Sequence, residues 1–166
     1  MNYIGVRKYV QNGFEIADMY EKRALADEQA AKVLVERQLY SDAVYLYVQS
    51  MEKYIKAHIC KKIDVTQSYY ADELRSMGHS LDNSIEFLIK ILSGNDQTIR
   101  EQLNKQIISG VFQNIRFSSL HNDLRYPKYH SRTASYSELE ISAADCYRTQ
   151  EIHTCLKNFL KDFYKL

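Results

Sequence analysis

The segment from Asp123 to Arg132 combines charged and aromatic side chains in a pattern suited to nucleic-acid chemistry. Basic side chains contact phosphates, and aromatic rings stack on bases. The sequence therefore predicts a local nucleotide- or RNA-binding surface. A solvated loop in which Asp123 offsets part of the positive charge is the alternative. The predicted ligand-binding residues of this segment are Asp123, Arg125, Tyr126, Lys128, Tyr129 and Arg132.

Arg125 and His130 are separated by four residues within this segment. An imidazole can act as a general base near neutral pH, and a guanidinium can stabilise the phosphorane that forms when an RNA 2′-hydroxyl attacks its own phosphate. This chemistry needs no metal ion. The simpler alternative is that Arg125 pairs with a carboxylate while His130 lies in a loop.

Two other histidines are relevant to the same chemistry. His79 follows Gly78 just before a predicted helix, where the helix dipole disfavours the protonated imidazole. A neutral His79 suits a hydrogen bond at a ligand site, although capping and packing are alternatives. His121 precedes Arg125 by four residues, and the two share a face only if a helix extends that far.

Composition places these residues in one small domain. The chain has 166 residues and a net charge of +1, from 22 basic and 21 acidic side chains. A domain of about 150 residues buries enough surface to form its own core. Because the net charge is nearly zero, no overall field would steer a polyanion toward the chain, so any phosphate site must be a local patch.

The cysteine pattern and the N-terminus bear on location and cofactors. Three dispersed cysteines, Cys60, Cys146 and Cys155, form no disulfide framework and suit a reducing compartment. No apolar signal-peptide region or membrane-length segment is present, so we expect a soluble cytoplasmic protein without membrane contact. The sequence lacks zinc-ligand spacing and glycine-rich phosphate loops, and we expect neither a metal nor a cofactor.

Helix-forming residues dominate and glycine and proline are scarce, which predicts an all-α fold. Ser80 and Asp96 are predicted N-caps, and Ser137 with Glu140 forms a predicted capping box for the last helix. Five helices are predicted from the apolar spacing, over residues 14–38, 41–63, 81–93, 97–118 and 138–166.

Two segments resemble the HEPN (higher eukaryotes and prokaryotes nucleotide-binding) family. The segment Leu124-Arg125-Tyr126-Pro127 resembles the Arg-Tyr-Pro turn that precedes the last helix of many HEPN domains. His79, before a short leucine-rich helix, is placed as in such domains. The other segment is similar to the second HEPN helix at Tyr40, Ala43, Gln49, Glu52, Lys53, Lys56 and Ala57.

The resemblance covers about residue 24 to the C-terminus and implies a HEPN-like up-and-down helical bundle over residues 21–166, after an N-terminal extension over residues 1–20. HEPN domains are often homodimers. One branch comprises metal-independent endoribonucleases, often toxins or defence effectors, whose Arg-x4–6-His motifs meet across a dimer cleft. In that branch Arg125 and His130 would be the catalytic residues. The other branch binds nucleotides or nucleic acids without catalysis, often beside a nucleotidyltransferase.

Two residues favour the binding branch. Tyr126 stands where ribonucleases of the family usually have a small polar residue, and Pro127 biases Tyr126 away from helical geometry. The leading prediction is a nucleotide- or RNA-binding module that works with a separate partner, such as a nucleotidyltransferase or an antitoxin-like protein. The first alternative is an endoribonuclease. The second is a protein-interaction module, since fourteen tyrosines suit an interface.

Overall fold

The computed structural model describes residues 4–162 and is built mainly of α-helices. Five of its seven α-helices correspond to the predicted ones, and α3 and α6 were not predicted. A π-helical turn over Lys105–Val111 continues α5. The elements are α1 (Gly13–Glu36), α2 (Tyr40–Lys62), α3 (Ser68–Ser76), α4 (Leu81–Ser93), α5 (Gln97–Asn104), α6 (Leu120–Asp123), β1 (Lys128–His130), β2 (Ser135–Ser137) and α7 (Ala143–Asp162).

α1 and α2 form an antiparallel helical hairpin. Lys53 and Lys61 of α2 pair with carboxylates of α1, and Ser50 donates a hydrogen bond to the Ala24 carbonyl at 2.8 Å. At the open end, a Cβ on Gly13 would lie 3.1 Å from the Cys60 carbonyl oxygen, so glycine permits close approach of the two backbones. The predicted boundary at residue 20 lies inside the continuous helix α1.

α2 is the central helix and packs against α1, α4, α6 and α7. The apolar stripe of α2 is buried. Glu52 and Lys56 lie off this stripe but are also buried, as an ion pair. His58 is buried as well, since neighbouring elements surround α2 on most sides. The stripe consists of Val44, Val48, Met51, Ile55 and Ile59.

The caps of α4 and α5 are confirmed. Ser80 Oγ accepts from the Asn83 amide, and Asp96 accepts from the Ile99 amide. The prediction that the helix beginning at Gln97 (α5) extends to residue 118 is wrong. After the π-helical turn, Gln113 and Asn114 adopt left-handed backbone angles, which end the helix.

The start of the last helix also differs from the prediction. Ser137 lies in β2, opposite Lys128, and does not cap a helix. α7 begins at Ala143, and its capping box is formed by Ser142 and Asp145. The Asp145 amide donates to Ser142 Oγ at 3.2 Å, while the Ser142 amide donates to the Asp145 carboxylate at 3.0 Å.

The all-α class is confirmed at the level of a helical bundle with one two-stranded hairpin in the described residues. Residues 1–3 of the predicted extension and residues 163–166 of the predicted domain lie outside the described part of the chain. Between residues 4 and 162, no helix is both long and apolar enough to cross a bilayer.

Candidate functional site

The predicted ligand-binding segment forms a turn of helix followed by an exposed β-hairpin. Asp123 ends α6 and is partly buried, and its carboxylate lies 3.9 Å from Lys128 Nζ. Tyr126, Tyr129 and Arg132 are exposed, with Arg132 in the turn between β1 and β2. The hairpin therefore presents most of the predicted side chains to solvent.

The structure places Arg125 and His130 in different surroundings within one chain. His130 Nε2 lies 2.7 Å from Ser137 Oγ across the hairpin. Arg125 instead lies beside His121, with 3.3 Å between Nη1 and Nε2. Within residues 4–162, no hydrogen bond joins Arg125 to His130.

Arg125, His121 and His79 form a cluster that we call the histidine–arginine cluster. The helical turn of α6 continues far enough for the Arg125 amide to donate to the Asn122 carbonyl, which brings His121 and Arg125 onto one face. The His79 and His121 rings are stacked, with centroids 4.6 Å apart and planes 4° apart. Residues distant in sequence therefore meet at one surface.

Polar side chains of α2 support this cluster from the core. Glu52 Oε1 accepts from Lys56 Nζ at 2.7 Å and lies 3.8 Å from His79 Nδ1. Lys56 also donates to the Gly78 carbonyl at 2.6 Å, which holds the loop that carries His79. Gln49 Nε2 lies 3.5 Å from Glu52 Oε2 and 3.2 Å from His121 Nδ1.

Arg125 and Gln49 contact opposite nitrogens of the His121 ring. A guanidinium N–H can only donate, so Arg125 Nη1 donates to His121 Nε2 at 3.3 Å. His121 Nδ1 lies 3.2 Å from the nitrogen of the Gln49 side-chain amide, and that nitrogen lies 3.5 Å from Glu52 Oε2. The imidazole therefore links the surface guanidinium to the buried polar groups of α2.

The electrostatics of the cluster leave Arg125 as its uncompensated cation. Burial lowers the pKa of His121, and the adjacent His79 and Arg125 lower it further, whereas Glu52 acts in the opposite direction. The charge of Glu52 is balanced by Lys56. In the described part of the chain, Arg125 has no carboxylate partner, and its guanidinium lies near the rings of Tyr45 and Tyr126 and beside His121.

The hairpin next to Arg125 carries exposed aromatic rings that we call the tyrosine hairpin (Tyr126, Tyr129 and Tyr136). Tyr129 and Tyr136 oppose each other in the β1–β2 register, with ring centroids 5.1 Å apart. Their relative exposures are 55% and 71%. The Arg125 guanidinium carbon lies 5.0 Å from the centre of the Tyr126 ring, so the cation and this exposed ring are in contact at the base of the hairpin.

A second polar cluster lies between α1, α2 and α7. His153 Nε2 lies 2.9 Å from Ser50 Oγ, and Glu28 accepts from Lys157 at 2.6 Å and from Tyr54 at 3.2 Å. Burial lowers the pKa of His153 to about 4, while hydrogen bonds from Lys157 and Lys32 outweigh burial and hold the Glu28 pKa at about 2. His153 and Ser50 are fully enclosed, so this cluster serves the core.

The part of the site that α2 contributes was not predicted from the sequence. Tyr45, Gln49, Glu52 and Lys56 follow one another at intervals of four, three and four residues, which is the spacing of one helix face. That polar periodicity, next to the apolar stripe, was the available signal. Tyr136 was also missed, because the hairpin that places it beside Tyr129 lacks a typical turn sequence.

Comparison of the chain with family models, with curated proteins and with solved structures yields no match in any of the three.

Proposed function

We propose that this chain is a HEPN-like module that binds a nucleotide or a single-stranded RNA segment at the histidine–arginine cluster and the tyrosine hairpin. The observation that carries the proposal is the exposed Arg125 guanidinium, which has no carboxylate partner in the described residues and lies 5.0 Å from the Tyr126 ring, at the start of the segment that forms the exposed Tyr129–Tyr136 pair. Phosphate would bind the guanidinium, and bases would stack on the rings.

The charge distribution supports this proposal. Arg125 is an unpaired cation at the edge of the hairpin, and Lys128 and Arg132 extend positive charge along it. Lys128 lies 3.9 Å from the Asp123 carboxylate, which offsets its charge, so Arg125 would be the main phosphate ligand. The resemblance of the Arg125-Tyr126-Pro127 turn to HEPN domains favours the same surface, and favours a homodimer that works with a partner such as a nucleotidyltransferase or an antitoxin-like protein.

Binding can be tested with a fluorescent ten-nucleotide oligouridine, with the dissociation constant measured by anisotropy. We expect Arg125→Ala to weaken binding by about tenfold or more, because it removes a charge-assisted contact. Tyr129→Ala should cost about 1–3 kcal/mol if a base stacks on that ring. Arg100→Ala and Tyr69→Ala are the controls, since both residues are exposed, and Tyr69 is as exposed as Tyr126 at 57%.

An endoribonuclease is the second candidate, because the four residues between Arg125 and His130 match the spacing of the HEPN ribonuclease motif. In the HEPN ribonucleases the Arg-x4–6-His pairs act across a dimer, so His130 remains the proposed base in this version. The same mixtures, kept in EDTA and analysed on a gel, test this activity. Cleavage that is lost in both Arg125→Ala and His130→Ala would support it.

Each outcome assigns the chain to a different class. Binding with intact RNA supports the module proposed first, whereas metal-independent cleavage supports the enzyme. RNA that is neither bound nor cut by the folded wild-type protein would overturn both, and would favour a protein-interaction module. Circular dichroism of each variant shows whether a loss of binding comes from the side chain or from unfolding.

A further inference from the structure

We propose that the histidine–arginine cluster selects the terminal phosphate of a nucleotide or RNA strand over an internal phosphodiester. This inference rests on the proposed function, because it assigns the ligand group that occupies the same site. It follows from the number of positive charges that His79, His121 and Arg125 together can present.

The two kinds of phosphate differ in charge. An internal phosphodiester carries one negative charge, which Arg125 alone can balance. A terminal phosphate carries about 1.5 to 2 negative charges near pH 7 and has three free acceptor oxygens. A site that binds the second charge must supply a second cation and additional donors. The stacked imidazoles beside Arg125 are the groups that can do so.

His121 lies between Arg125 and the core. Its Nε2 accepts from Arg125 Nη1 at 3.3 Å, and its Nδ1 faces the Gln49 amide at 3.2 Å. In the free protein, burial and the neighbouring His79 and Arg125 lower the pKa of His121 and so oppose proton uptake by this ring. A dianion bound to Arg125 would favour the protonated ring, because its second charge attracts the added proton.

The buried carboxylate of Glu52 supports the second cation. It lies 3.8 Å from His79 Nδ1, on the core side of the cluster, while the His79 side chain is 64% exposed on the other side. Lys56 neutralises the net charge of Glu52, so the pair does not repel an anion as a free carboxylate would. Glu52 is therefore placed to stabilise a protonated His79 that contacts a phosphate on its solvent-exposed side.

The test compares two ten-nucleotide oligouridines that differ only in a 5′-phosphate or a 5′-hydroxyl, both labelled at the 3′ end. We expect the wild-type protein to bind the phosphorylated strand about tenfold more tightly, which corresponds to one additional charge-assisted interaction. His121→Phe keeps an aromatic ring but removes the imidazole. It should reduce this preference to less than about twofold while the tyrosine hairpin still binds both strands.

A matched control and a competitor complete the experiment. Arg100→Ala, at an exposed position of α5 outside the candidate site, should retain the wild-type preference. Displacement of the phosphorylated strand by AMP but not by adenosine would assign the site to free nucleotides as well, and no displacement by AMP would assign it to RNA ends. Both results support a terminal-phosphate site.

The failure of this inference is distinguishable from the failure of the proposed function. If the wild-type protein binds both strands with equal affinity, and Arg125→Ala loses that binding, terminal-phosphate selection is overturned and RNA binding at this site still stands. A preference that persists in His121→Phe would also overturn the role of the imidazoles. No binding of either strand would overturn both proposals.

Discussion

At the scale of single residues, Glu52 connects the candidate site to the core. It is only 2% exposed and forms an ion pair with Lys56, which is 6% exposed. Both charges are removed from water, so neither is tolerated without the other. The same carboxylate faces Gln49 and His79, and through them it affects the orientation of the cluster.

We expect Glu52→Leu to lower the free energy of unfolding by about 3–5 kcal/mol, because it leaves the Lys56 ammonium buried without a counter-charge. The double variant Glu52→Leu/Lys56→Leu should be more stable than Glu52→Leu alone, since no unpaired charge remains. Urea denaturation of the single and double variants measures the coupling. Strictly additive effects would contradict a buried, mutually dependent pair.

At the scale of elements, the start of α7 depends on a few residues. Ser142 and Asp145 exchange hydrogen bonds with each other's backbone amides, and the bonds from Ser142 lower the pKa of Asp145. Ser137, the residue that sequence pattern favours as the cap, is instead paired in β2.

Ser142→Ala should therefore destabilise the protein by about 1 kcal/mol, the usual cost of losing a helix N-cap. Ser137→Ala serves as the matched control and should change stability by less than about 0.5 kcal/mol, as expected for an exposed position. Thermal or urea denaturation of both variants provides the comparison. A larger loss in Ser137→Ala would mean that the last helix begins where the sequence pattern predicts.

The contrast between these two serines shows how far the sequence determines the elements. Both begin a motif in which the fourth residue is acidic, so local chemistry alone does not separate them. Tertiary context decides, because pairing with β1 places Ser137 in an extended strand. The apolar stripes of α2 and α4 were predictable, since their periodicity directly reflects burial.

The candidate site was predictable only in part for a related reason. Arg125 and the tyrosines are adjacent in sequence, so their composition reveals a surface segment. The contact of His79 with His121 depends on how α2 and α6 pack, and no local sequence pattern encodes a contact between a loop and a helix 42 residues apart. The π-helical turn after α5 likewise follows from packing and not from an apolar period.

At the scale of the whole molecule, stability depends on imidazoles enclosed between helices. His58 and His153 are buried, and burial lowers the pKa of each to about 4. For His153, the charge of Glu28 partly opposes this effect, whereas Lys157 and Lys32 add to it. For His58, Lys61 and Lys62 add to the effect of burial.

These shifts predict that the protein loses stability as the pH falls from about 6.5 to about 4. In that range the unfolded chain binds protons that the folded imidazoles do not, at a cost of up to about 1.4 kcal/mol per pH unit for each histidine. Glu28, whose folded pKa is about 2, adds a further loss as the pH falls below about 4.5. Above pH 7, none of these three groups should make the unfolding free energy depend on pH.

Urea denaturation at several pH values tests this dependence. Between pH 6.5 and 4, His153→Phe should reduce the slope of the unfolding free energy against pH by up to about 1.4 kcal/mol per pH unit, the contribution of one proton. This holds whatever its effect on stability at pH 7, because the titrating group is gone. Thr154→Val is the matched control, since Thr154 is exposed on the same helix and the change removes no imidazole, and this variant should retain the wild-type slope. An unchanged slope in His153→Phe would mean that the proton uptake on unfolding comes from other groups.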